Sequence, residues 1–129
     1  MTTTARVTAT ALLAAMSIWA HHALSASYEM DHQITLKGTI TKIDWSNPHA
    51  RFYLDVPDSR GHKMNWDVEL GSPNGLLRRG WTNVSLKRGD VVIVTGYRAK
   101  DGSSMASAVT IHFADGHALP LAVPGDAAK

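Results

Sequence analysis

Cysteine is absent from this chain, which excludes disulfides, thiolate metal sites and cysteine nucleophiles at the outset. An oxidising compartment stays open, because such compartments permit disulfides without requiring them. An excess of one charge sign is also lacking. Thirteen Lys and Arg face 11 Asp and Glu, for a formal net charge of +2, and the signs are interspersed, which argues against a polyanion partner such as nucleic acid. No nucleophile motif, phosphate-cradling glycine loop or metalloprotease signature occurs, so the chain reads as a binding protein rather than an enzyme. The longest apolar run, Ala11 to Trp19, falls short of the roughly 20 residues that a membrane span needs. With 129 residues, 44% of them hydrophobic, there is material for one small core.

What is present at the N-terminus has the build of a secretory signal over residues 1–20: Arg6, the apolar run, and small Ala20 at the expected cut. An uncleaved anchor is the alternative. Cleavage before His21 gives a mature chain that starts His-His-Ala-Leu, periplasmic or secreted, with no stable membrane insertion. Residues 21–33 lack a period and read as an arm, residues 34–114 as a β-barrel, and the Ala-, Pro- and Gly-rich stretch 115–129 as a flexible tail.

Alternation carries the barrel. Ile34, Leu36 and Ile40 share one face of a long first strand, and beyond Lys42 the apolar parity shifts to Ile43 and Trp45, with Gly38 marking a bend or bulge. Ser46-Asn47-Pro48 ends the strand and displays His49 at a rim. Phe52, Leu54 and Val56 then alternate inward, as do Met64, Trp66, Val68 and Leu70, with Pro57-Asp58-Ser59-Arg60-Gly61 as the turn. Facing the inward residues sets Tyr53 opposite Asp67 and Arg51 opposite Glu69, a register favoured by the opposite charges of Arg51 and Glu69. Ser72 as N-cap, Pro73 at the first position and Gly80 past the end predict a short helix burying Leu76, Leu77 and Trp81; an Asn74-Gly75 hairpin turn is the alternative. Val91 to Tyr97 and Ser104 to His112 form a last hairpin, with Met105, Val109 and Ile111 inward. Three strands, a helix and two strands give an all-β, five-stranded OB-fold-like Greek-key barrel with one short helix, or an open sandwich of the same strands.

The His-His start, Trp45-Ser46-Asn47-Pro48-His49, Gly71-Ser72-Pro73-Asn74 with Arg78-Arg79-Gly80-Trp81, and Gly96-Tyr97-Arg98-Ala99-Lys100-Asp101-Gly102-Ser103 together resemble a family of small exported bacterial proteins known only as a domain of unknown function. The resemblance implies export and a small β-barrel, and no activity.

Chemistry must then come from imidazoles and carboxylates. If cleavage makes His21 the first residue, its α-amine, with a pKa of about 7.7, and its ring nitrogen form a chelate, and His22 adds an imidazole. Nitrogen-rich surroundings suit Cu(II). His49 is the preferred remote ligand, with His32 and His112 behind it. The bland reading is a solvated His-His start and a rim histidine bonded to its own turn. Met64 and Met105 suit Cu(I), but their parity places them in the core. A separate candidate is the face of strands two and three, carrying Arg51, Tyr53, Asp67 and Glu69, which would take a carbohydrate, a peptide or an envelope protein.

Overall fold

The computed structural model describes residues 23–121. A helical turn over residues 23–27 leads into β1 (Tyr28–Asp44), followed by β2 (Arg51–Pro57), β3 (Lys63–Glu69), α1 (Pro73–Arg78), β4 (Val91–Ala99), β5 (Met105–Phe113) and β6 (Ala118–Leu119). β1 lies between β2 and β4, β3 pairs with β2, β5 with β4, and a short parallel pairing of β3 with β5 closes the ring. This is the expected OB-type barrel, with β6 added on β5. The helix caps as predicted: the Ser72 hydroxyl accepts from the Gly75 amide at 3.1 Å, Pro73 opens the helix, and Gly80 follows at a φ of +92°.

β1 is bent by two irregularities. Ile40 pairs with Leu54 and Lys42 with Tyr53, so Thr41 is an extra residue and the parity shift falls there rather than at Gly38. Gly38 has another task. A Cβ on it would lie 2.2 Å from the Asp55 carbonyl oxygen, so the strand crosses β2 too closely for any side chain. Nearer its start, Tyr28 pairs with Ala99 and Gln33 with Tyr97, leaving Glu29 to His32 opposite Arg98 alone.

Leu36, Ile40, Phe52, Leu54, Val68, Val92, Val94 and Ile111 fill the barrel, and Leu76, Trp81 and Leu86 plug one end. Several expectations are corrected. The barrel begins at Tyr28 rather than Ile34, so the second half of the arm 21–33 is strand. The first part of the tail, 115–121, is not loose, because Ala118–Leu119 pair with β5 and the Trp81 indole donates to the Pro120 carbonyl at 2.7 Å. Leu77 and Met64 stay about half exposed. Val109 is an extra residue between paired Thr110 and Ala108, so Ala106 takes the buried position expected of Met105. The signal, its cleavage point, His21, His22 and the stretch from 122 onward lie outside the described residues.

Candidate site on the face of strands two and three

The β2–β3 register matches the charge argument: Arg51 faces Glu69 and Tyr53 faces Asp67. Strand periodicity turns all four outward, because Phe52, Leu54, Trp66 and Val68 between them are buried. β1 adds a third row, with Asp44 beside Arg51 and Lys42 beside Tyr53.

Three of these side chains, Arg51, Asp67 and Glu69, and two neighbours, Tyr28 and His49, form the main cluster. Arg51 Nη1 donates to both Asp67 oxygens, at 2.9 and 3.0 Å, and its Nη2 donates to Glu69 Oε2 at 3.3 Å. One guanidinium thus joins two carboxylates through charge-assisted hydrogen bonds. The same Glu69 oxygen accepts from the Tyr28 hydroxyl, and Glu69 Oε1 meets His49 Nδ1. Glu69 is the hub, its side chain only 13% exposed, whereas the His49 side chain is 50% exposed at the rim. With a carboxylate oxygen at Nδ1, that nitrogen carries the proton, and Nε2 holds the free lone pair of the neutral ring.

The electrostatics follow from burial. Tyr28 is 4% exposed; burial, and then its bond to the Glu69 carboxylate, push the phenol well above its ordinary range. Burial works against the Arg51 charge, but Asp67 and Glu69 outweigh it and hold the guanidinium above its usual value. Tyr53 stands one rung away with Lys42 Nζ 5.3 Å from its ring centroid, a cation–π contact. Asn65 bridges Asp55 at 2.8 Å and Thr41 at 3.2 Å at the far end of the face.

The structure thus gathers His49, Arg51, Asp67 and Glu69, with Tyr53 adjoining. His32 is separate, highly exposed and 3.9 Å from Asp31, and His112 is exposed on β5 opposite Ile93 and Ala118. Among the described residues no three potential ligands gather as a metal cluster. Tyr28 is the participant that the sequence conceals. It lies in an aperiodic stretch, and only the extra length of β1 brings it to Glu69.

A model of a family of unknown function (DUF6152) matches residues 10–108. No curated protein matches the sequence. Among solved structures, the fold is similar to a mitochondrial single-stranded DNA binding protein from S. cerevisiae, with a TM-score of 0.50 and 10% identity over 64% of this chain and 93% of that one. At that identity the likeness is one of fold.

Proposed function

The chain belongs to this family of unknown function, DUF6152, and within it we propose an exported binding protein whose ligand is a divalent metal, copper first, held between the mature N-terminus and the barrel rim. His21 supplies its amine and ring nitrogen, and His22 and His49 complete the site. The observation that carries this reading is the double use of Glu69. It grips His49 through Nδ1, the carboxylate–histidine arrangement that orients metal-binding imidazoles, and it also holds the hydroxyl of Tyr28. Tyr28 follows His21 by seven residues, a chain reach of at most about 25 Å. The arm bearing the proposed chelate is therefore tethered to the carboxylate that orients the remote ligand.

The test is a Cu(II) titration of protein beginning at His21 beside protein with one extra N-terminal residue. Tight binding by the first, weakened in the second and in His49→Ala, is expected. Glu69→Ala should weaken it by about 10- to 100-fold. Equal affinity in the extended protein removes the amine from the site, and no binding by either removes the metal.

A second reading has its own support: Tyr53 with Lys42 over its ring presents a sugar- or peptide-sized platform on the face that OB barrels use for ligands. Its partner would be a carbohydrate, a peptide or an envelope protein. Nucleic acid fits poorly, because Asp44, Asp55, Asp67 and Glu69 are interspersed with Lys42, Arg51 and Lys63 there, a face of mixed sign rather than a basic groove.

A further inference from the structure

The plugged end of the barrel is built from one segment, and its chemistry is unlike that of the β2–β3 face. Leu76, Trp81 and Leu86 are 2, 2 and 4% exposed and all pack into the core. Anchored at those three points, the chain from 76 to 88 lies across the barrel end, and the residues between the anchors are turned away from it. Those residues include two large aliphatics, Leu77 at 50% and Val84 at 60% exposure. Val84 stands in a tight turn: the Ser85 amide donates to the Thr82 carbonyl at 3.1 Å and the Thr82 amide to the Ser85 hydroxyl at 2.8 Å. The turn presents an aliphatic where solvent-facing turns ordinarily carry polar residues.

The same segment carries Arg78, Arg79, Lys87 and Arg88, with Asp90 the one acidic residue between 76 and 90. Asp90 is engaged in its own turn, accepting from the Lys87 amide at 2.8 Å. None of the four cations forms an ion pair among the described residues, whereas Arg51 on the other face is fully matched. Exposed aliphatics and unpaired cations on one segment suit a surface that is negative outside and apolar beneath.

We propose that this end of the barrel, through Leu77 and Val84 with Arg78, Arg79, Lys87 and Arg88, is a peripheral docking surface for an anionic lipid bilayer. The cations draw the protein to the headgroups, and the two aliphatics enter the boundary layer. The cluster around Glu69 then lies on a different face and remains in solution.

The experiment is co-sedimentation of protein beginning at His21, which contains every described element, with phosphatidylglycerol–phosphatidylcholine vesicles and with pure phosphatidylcholine vesicles. Binding to the anionic vesicles alone is expected, weakened in high salt. Arg78→Gln with Arg79→Gln should lower the partition coefficient about tenfold or more, and Leu77→Asn with Val84→Asn should also lower it. All four positions are partly or fully exposed, so circular dichroism and Tm should match the parent and separate lost docking from lost folding. Equal binding to both vesicle types, or unchanged binding by both double variants, overturns the proposal. So does tight binding of a single-stranded oligonucleotide that the arginine pair controls and the aliphatic pair does not, which would make this a polyanion surface.

Discussion

Glu69 answers to three partners on three segments, and the least conspicuous of them gives the sharpest measurement. Tyr28 is buried, and its hydroxyl donates to a carboxylate, so its proton is held in the folded state far beyond the ordinary phenol range. In the unfolded chain the same group ionises near pH 10. Above that pH the unfolded state binds fewer protons than the folded one, and stability falls as pH rises. The contribution is fully present below pH 10 and is lost progressively above it. Tyr28→Phe removes a hydrogen bond to a charged group, an expected loss of about 1.5–3 kcal/mol at neutral pH. It should also flatten the decline of Tm between pH 9 and 11, both values being experimental settings bracketing the phenol's ordinary pKa of about 10. Thermal melts across that range decide it. Parallel slopes for the two proteins would show that the Tyr28 proton is not held.

At the scale of elements, the β-hairpin of β2 and β3 was legible to the pair because two kinds of information agree: inward apolar alternation and outward Arg51–Glu69 charge matching. The helix was legible through its punctuation, Ser72, Pro73 and Gly80. What periodicity missed lies at irregularities. Four residues of β1 oppose one of β4, so Glu29 to His32 show no alternation although they lie within a strand. An extra residue at Val109 displaces Met105 from the parity counted back from Ile111. Leu77 follows buried Leu76, and this short helix offers the core one side only, through Pro73 and Leu76. Gly38 interrupts the alternation visibly, but the reason for it lies on the partner strand. Gly38→Ala sets a methyl 2.2 Å from the Asp55 carbonyl oxygen and 3.1 Å from Leu54 Cγ. Since the first obstacle is backbone, β1 and β2 must separate, at an expected cost of about 1–3 kcal/mol. Gly71→Ala has open space around its Cβ and no positive φ, and should leave the urea midpoint nearly unchanged. Similar midpoints for the two variants would contradict the close crossing.

The whole molecule is closed at one end by a segment remote in sequence from the plug it covers. Trp81 is 2% exposed, and its indole N–H has a carbonyl acceptor in Pro120. Leu119 and Leu121 pack on the same core, and Ala118–Leu119 extend the sheet from β5. The final residues of the described chain therefore complete the barrel end and supply the acceptor for the Trp81 indole. Ending the chain after His117 removes two partly buried leucines and one acceptor. At about 1 kcal/mol for each incompletely buried leucine and about 1 kcal/mol for the hydrogen bond, the expected loss is about 3 kcal/mol. For a domain of this size that corresponds to a fall in Tm of roughly 10–25 °C. Trp81 emission should shift to the red as its ring meets water. Pro120→Ala keeps the carbonyl and should melt close to the parent, which separates loss of the covering segment from loss of the proline ring. A truncated chain that melts within about 2 °C of the parent, well inside the 4–8 °C per kcal/mol expected of small domains, would mean that the plug stands without its cover.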